Sequence, residues 1–151
     1  SFTFADTLAF MQAGKIVQQG DAEALYFQPA TPLLAESLGE GNWLSVEVID
    51  PSATRSDKLG VIPSLSTSAF TQGQQLRQFI RPHQLFLQAD DNGLGTIVNK
   101  IFNGDSRYYL VDIGDQQILK IGCNSIENRP IGSKVAIEVK PHQAILFENK
   151  A

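Results

Sequence analysis

Short runs of apolar residues, divided by polar turn residues, cover most of the chain after residue 42. They lie at 43–49, 59–62, 76–80, 84–87, 95–102, 107–112, 117–121, 134–139 and 144–147. Partial alternation within such runs, with Gly, Pro, Asn and Asp between them, is typical of strands. We predict a mainly β fold, a small barrel or sandwich, with no helix of ordinary length after Gly39. Residues 52–58 are polar and predicted to be a loop, and Asn103-Gly104-Asp105 a turn.

The first forty residues follow a different pattern. Two apolar runs, 7–11 and 16–17, flank Gly14 and predict a β-hairpin. Asp21 is a suitable N-cap for a helix over 22–27, and Thr31 followed by a proline opens a second helix. Gly39 is predicted to be the C-cap of that second helix.

One five-residue pattern occurs twice. IRPHQ at residues 80–84 returns as VKPHQ at 139–143, each followed by a short apolar strand. Both histidines of the chain, His83 and His142, lie in these copies. A shared metal ion is the less favoured interpretation, because no carboxylate or Cys stands at ligand spacing. We interpret the copies as two similar strand–Pro–strand corners.

Composition narrows the class of protein. The 151 residues are 42% hydrophobic and carry a net charge of −4, which fits a folded domain and disfavours a nucleic-acid binder. The single Cys123 forms no internal disulfide, so a reducing compartment is the simplest, and we interpret it as a small core residue. The chain begins at Ser1 without an initiator Met, and we expect it to be part of a longer protein.

The search for catalytic or ligand-binding motifs returns weak candidates. Gly14-Lys15 lacks the partner glycine of a phosphate-binding loop and is predicted to be a turn. Asp90 and Asp91 are adjacent in a polar turn and unsuited to a catalytic pair. Arg107-Tyr108-Tyr109 is the one local match to an aromatic–basic nucleic-acid surface. Successive strand residues face opposite ways, so we predict one core and one surface tyrosine.

The N-terminal sequence resembles the end of the ATPase domain in ATP-binding subunits of bacterial ABC importers. That resemblance rests on ADTLAFMQAGKIVQQG at residues 5–20, EALYFQP at 23–29 and LGEGN at 38–42. The following region resembles the OB-like regulatory β-domain called TOBE, marked by Ile80-Arg81-Pro82. The family often has Glu at the next position, where this chain has His83. We therefore expect an ATPase remnant at 1–41 and a TOBE-like domain at 42–151.

The resemblance implies a function for a longer parent protein. The parent would hydrolyse ATP with Mg at sites outside this chain, which itself carries no catalytic, cofactor-binding or metal site. It would lie on the cytoplasmic face of the bacterial inner membrane. Its partners would be a second copy of the subunit, membrane permease subunits and, indirectly, a periplasmic binding protein, with no nucleic acid. The compact β-domain, residues 39–41 and the short ending resemble ferric-iron importers most.

Two alternatives remain open at this point. In the first, the parent imports a sugar, a polyamine or another solute. Alternatively, the β-domain is an oxyanion sensor for molybdate-like ligands, built from Ser125, Lys134, Gly122 and Gly132. The resemblance also implies that apolar residues of the first segment, namely Leu8, Phe10, Leu25 and Leu34, lack their ATPase core. We therefore expect a dimer, or a mobile first segment.

Overall fold

The computed structural model describes residues 7–65, 70–103, 106–123 and 128–149, and they form the mainly β fold predicted. The strands are β1 (Thr7–Gln12), β2 (Lys15–Asp21), β3 (Asn42–Asp50), β4 (Ala53–Ser56), β5 (Gly60–Pro63), β6 (Gln75–Ile80), β7 (Leu85–Ala89), β8 (Gly95–Asn103), β9 (Ser106–Asp112), β10 (Ile118–Gly122), β11 (Lys134–Val139) and β12 (Ile145–Glu148). Two short helices, α1 (Ala22–Phe27) and α2 (Pro32–Ser37), and a 3-10 turn at Pro82–Gln84 complete the described elements.

Residues 7–41, which we call the first segment, form the hairpin and two helices that the sequence predicts. Ala13 and Gly14 have φ of 53° and 78°, as a two-residue turn with left-handed backbone requires, and join β1 to β2. The Asp21 carboxylate accepts a hydrogen bond from the Ala24 N–H at 2.7 Å, and Thr31 Oγ1 caps α2 in the same way at 3.1 Å. The C-cap prediction was wrong by one residue. The C-cap is Leu38, and Gly39 follows it.

Two five-stranded antiparallel sheets enclose the main core. Their strand orders are β10-β9-β8-β11-β7 and β12-β6-β3-β4-β5. Alternate residues of β3, namely Leu44, Val46 and Val48, are buried against residues of the other sheet such as Val111 and Val135. The two sheets therefore pack face to face around one core.

The predicted loop at 52–58 was wrong, because residues 53–56 form β4 between β3 and β5. This strand buries polar side chains. Thr54 is fully buried and its hydroxyl donates a 2.7 Å hydrogen bond to Oε1 of Gln78 on β6. Such a strand gives no apolar pattern, because an interior hydrogen bond takes the place of apolar contact.

The two repeated five-residue corners lie beside each other. The first leads from β6 in one sheet to β7 in the other, and the second leads back from β11 to β12. Because β6 pairs with β12 and β7 with β11, the corners are brought together. The Lys140 N–H donates to the Gln84 carbonyl at 2.8 Å. Their interpretation as two similar strand–Pro–strand corners is confirmed.

The first segment packs on the two-sheet part of the same chain, β3 to β12, which we call the β-domain. Leu25 and Leu34 are each 1% exposed, so the expectation that these two side chains lack cover was wrong. Ala35 of α2 joins a small cluster with Phe79 of β6 and Ile145 of β12. The side chains of Leu8 and Phe10 lie outside the described residues. Within the described ranges, no helix is long and apolar enough to cross a membrane. The expectation of a dimer, or of a mobile first segment, stays a prediction.

Candidate functional site

A buried arginine joins the two helices to the β-domain. Arg81 follows β6 directly and its side chain is 1% exposed. Its Nη2 donates to the Tyr26 carbonyl at 3.1 Å. Its Nη1 donates to the Gly39 carbonyl at 3.2 Å and lies 3.4 Å from that of Ala35. We call this arrangement the Arg81 joint.

The joint satisfies backbone groups that short helices leave open. Carbonyls at the C-terminal end of a helix have no partner within it, and neither α1 nor α2 has a basic residue in its last turn. Arg81 supplies both helices with donors from a single guanidinium. That group also lies 4.0 Å from the centroid of the Tyr26 ring and 5.1 Å from that of Phe79. Burial lowers the pKa of Arg81. These rings and carbonyls replace part of its lost water, while its Nε has no hydrogen-bond partner among the described residues.

Two glycines after α2 make room for the joint. A Cβ at Gly39 would lie 3.1 Å from Nη1 of Arg81, and a Cβ at Gly41 would lie 2.3 Å from Cζ of Phe79. The first spacing is tight and the second is an outright clash. The chain between α2 and β3 therefore approaches β6 as closely as glycine permits.

A cleft of about 730 Å³ lies beside the joint. Residues from the first segment form one side, and residues of the β-domain form the rest. The lining includes Tyr26 and Glu40 from the first segment, and Arg81, His83, Phe86, Arg107, Tyr108, Cys123 and Lys140 from the β-domain. We call this space the cleft.

The cleft carries unpaired positive charge. Ion pairs among the described residues join Lys58 to Asp115 and Lys120 to Glu40, so neither Arg107 nor Lys140 has a carboxylate partner there. The acid in the lining, Glu40, is already engaged. A hydrogen bond from Lys120 lowers the pKa of Glu40, while burial has a smaller, raising effect. The charge of Lys120 and a hydrogen bond from the Tyr108 hydroxyl lower this pKa further.

His83 links the cleft to the joint. Its Nε2 lies 3.0 Å from the Tyr26 hydroxyl, and the two rings are nearly parallel. Partial burial lowers the pKa of His83, and the charges of Arg81 and Lys140 lower it further, with a smaller effect of His142. The imidazole is therefore neutral at neutral pH, and its pKa reports the positive potential around it.

His142, the second histidine, faces the interior instead. It is 8% exposed, and its Nδ1 lies 2.7 Å from the Lys140 carbonyl, which places a proton on Nδ1. Burial lowers the pKa of His142, against a small raising effect of that hydrogen bond. No three potential metal ligands gather anywhere in the described part of the chain.

The described residues of the proposed oxyanion sensor do not share a cavity. Gly122 lines the cleft, whereas Lys134 lines a second cavity, about 480 Å³, beside Asp90 and Asp91. Ser125 lies outside the described residues. Gly132 lines neither cavity. Among the described residues, Gly122, Lys134 and Gly132 therefore have no common ligand cavity.

The remaining sequence candidates have ordinary places. Tyr109 is buried in the core and Tyr108 is half-buried in the cleft, so the predicted core–surface pair is confirmed. Cys123 is half-buried, at the margin of the core and the cleft. Asp90 accepts a hydrogen bond from the Asn92 N–H in an exposed turn.

Sequence reasoning missed the Arg81 joint. It identified Arg81 as part of a motif and did not place it against the helices. One signal was available: Arg81 stands inside the apolar run FIRP, while both predicted helices end without a basic residue. A buried arginine requires several acceptors, and helix C-termini supply them.

Known proteins are similar to this chain over almost its whole length. Residues 79–147 match the model of the TOBE domain. The chain is 30% identical over 155 residues to the "Fe(3+) ions import ATP-binding protein FbpC" of Pseudomonas fluorescens, covering 97% of the chain and 42% of the relative. It is 27% identical to the "Spermidine/putrescine import ATP-binding protein PotA" of the same organism, covering 98% and 41%. It is 24% identical to the "Putative 2-aminoethylphosphonate import ATP-binding protein PhnT" of Salmonella paratyphi A, covering 98% and 42%. The chain thus spans about two fifths of the length of these relatives.

Proposed function

We propose that this chain is the regulatory and dimerisation part of an ABC importer ATP-binding subunit. The premise is that the chain contains a TOBE domain and is homologous to the C-terminal part of ABC importer ATP-binding proteins. In this proposal residues 1–41 are the end of the ATPase domain and residues 42–151 are the TOBE-like domain. The chain itself performs no catalysis.

The Arg81 joint is the observation that carries a regulatory role. One guanidinium of the β-domain holds the C-terminal ends of both helices of the first segment, through the carbonyls of Tyr26 and Gly39. A domain attached by a flexible tether alone would transmit no force. A buried, multiply bonded attachment transmits displacement of the helices to β6, and of β6 to the helices.

The activity belongs to the proposed parent protein. There, ATP and Mg bind outside this chain, and hydrolysis drives import through permease subunits. The parent would sit on the cytoplasmic side of the inner membrane as a homodimer, and would receive substrate indirectly from a periplasmic binding protein. The naming of the relatives as import ATP-binding proteins supports this assignment.

Ferric iron is the substrate that we propose for the parent. The relatives above at 30%, 27% and 24% identity are named for Fe(3+), polyamine and aminoethylphosphonate import respectively. The compact β-domain and the LGEGN segment at 38–42 also resemble the iron importers. This chain supplies no iron ligand, and the proposal needs none, because a separate binding protein would carry the metal.

The test uses the full-length protein reconstituted with its permease in vesicles. We expect ATP hydrolysis to be stimulated by the ferric-loaded binding protein and not by the polyamine- or phosphonate-loaded ones. Stimulation by one of the other two instead would retain the importer assignment and discard iron. No stimulation by any of the three, nor by a sugar-loaded binding protein, would count against the importer assignment itself. A full-length variant that lacks 42–151, yet dimerises and is regulated like wild type, would refute the regulatory role.

A further inference from the structure

We infer that the cleft is a binding site for a small organic anion that carries phosphate or carboxylate groups. It meets the usual description of a ligand site: a concavity of suitable volume with aromatic walls and a few converging polar groups. Its volume of about 730 Å³ exceeds the need of a bare tetrahedral oxyanion, so an organic body is expected beside the charge.

Charge selects an anion. Arg81, Arg107 and Lys140 line the cleft, and neither Arg107 nor Lys140 has a carboxylate partner among the described residues. The lining acid Glu40 is neutralised by Lys120. Arg107 faces the ring of Phe102 at 5.4 Å and Lys140 that of Phe86 at 5.8 Å, and neither contact is a hydrogen bond. Guanidinium and ammonium groups without a carboxylate partner form strong charge-assisted hydrogen bonds to phosphate or carboxylate oxygens.

Aromatic side chains select an organic body. Phe86 and Tyr108 are half-buried in the lining, and the Lys140 ammonium lies 5.8 Å from the centroid of the Phe86 ring. Tyr26 closes the opposite side, where its ring already stacks on Arg81. Flat apolar faces beside cations suit a ligand that has both a ring and an acidic group.

The position of the cleft gives the ligand a role. Tyr26 and Glu40 come from the first segment, and Arg107 and Lys140 come from the β-domain. An anion that contacts both sides stabilises their docking by its differential affinity for the docked state. Regulation of ATP hydrolysis by this anion rests on the proposed function, whereas binding to the chain does not.

Binding is measured on this chain by isothermal titration calorimetry with three probes. Adenosine monophosphate carries phosphate and a ring, citrate carries carboxylates without a ring, and inorganic phosphate carries charge alone. We expect saturable binding of adenosine monophosphate or citrate at millimolar concentration or below, and weaker binding of inorganic phosphate. Tighter binding of adenosine monophosphate would assign phosphate as the acidic group of the ligand, and tighter binding of citrate would assign carboxylate.

Matched variants locate the binding. Arg107→Gln and Lys140→Gln should each weaken binding about tenfold, the effect of losing one charge-assisted hydrogen bond. Arg55→Gln and Lys134→Gln remove exposed charges outside the cleft and should leave the affinity unchanged. Equal losses in all four variants, or in none, would overturn the site, as would failure of both organic probes to saturate.

His83 provides an independent readout. The chain has two histidines, so proton NMR resolves each imidazole, and His142→Asn assigns them. The imidazole of His83 contacts the Tyr26 hydroxyl, and its pKa is lowered by partial burial and by the charges of Arg81, Lys140 and His142. The negative charge of a bound anion opposes the effect of these positive charges. Saturating probe should therefore raise the pKa of His83. An unchanged pKa would place the anion elsewhere and refute the inference.

These results are separable from the proposed function. Calorimetry and NMR need neither ATP nor permease. If neither organic probe binds while the full-length protein imports normally, only the proposal of an anion site in the cleft is refuted. Binding without any stimulated ATP hydrolysis would refute the importer assignment alone.

Discussion

Replacing Arg81 with methionine should release the two helices from the β-domain while the β-domain stays folded. Methionine approximates the length of arginine and has no donors, so the carbonyls of Tyr26 and Gly39 lose their partners. The packing volume is nearly kept, which limits any cavity. The change therefore removes the hydrogen bonds and the charge of the joint.

The magnitude follows from the individual contacts. The hydrogen bonds at 3.1 and 3.2 Å from a charged donor contribute about 1.5 kcal/mol each, and the longer one at 3.4 Å is counted as nothing. Stacking on Tyr26 at 4.0 Å adds about 1 kcal/mol. Relief of the desolvation cost of a buried guanidinium offsets about 1 kcal/mol of this. The net expectation is a loss of about 3 kcal/mol.

The assay is amide hydrogen exchange, followed by urea unfolding. Amides of residues 22–39 should exchange about a hundredfold faster in Arg81→Met, which corresponds to about 3 kcal/mol of local opening. Amides of Ile97 and Val111 in the core should keep their protection. Arg81→Lys should give an intermediate loss, because one ammonium does not span carbonyls from both helices.

Arg77→Met is the matched control. Arg77 lies on β6 four residues earlier, is half-buried, and stacks over Trp43 at 4.9 Å. Its loss should cost under about 1 kcal/mol and leave exchange over 22–39 unchanged. A loss at Arg81 no larger than at Arg77, or a loss spread evenly over the whole chain, would refute the assignment of Arg81 as the joint.

Four further substitutions test the fold. Asp21→Ala and Thr31→Ala should each cost about 1 kcal/mol in urea unfolding through loss of a helix cap, and no loss would contradict the observed caps. Gly93→Ala should cost about 2 kcal/mol and lower Tm, because its Cβ would lie 2.1 Å from the Val135 carbonyl; an unchanged Tm would contradict that contact. Burial lowers the pKa of His142 below 6.5, so the unfolded state binds more protons and stability falls as pH drops through 6.5. His142→Asn should reduce this loss in urea titrations at several pH values, and an identical pH profile would refute it.

The helix caps and most strands were predictable because their signals are local. Asp21 and Thr31 act within three residues, and the alternation in β3 follows from its two faces. β4 escaped prediction because its buried Thr54 is satisfied by Gln78, which lies 24 residues away in sequence. A hydrogen bond between distant residues leaves no local periodicity.

The candidate site could be predicted only in part. The repeat around His83 and His142 was visible, but its copies differ in burial because the first faces the helices and the second faces the interior. The cleft combines residues from both ends of the chain, such as Tyr26 and Lys140. Their proximity depends on the sheet order, which short-range patterns do not determine.

Tyr26 makes the joint and the cleft parts of one equilibrium. Its carbonyl accepts from Arg81, its ring stacks on the same guanidinium, and its hydroxyl meets His83 in the cleft. If docking of α1 and binding of the anion favour each other, each must strengthen the other by the same factor. A saturating anion should then slow the exchange of residues 22–39 in Arg81→Lys, in which docking is weakened. At an anion concentration near the Kd of Arg81→Lys, the slowing should be smaller in Arg81→Lys that also carries Lys140→Gln, because the second change weakens anion binding about tenfold.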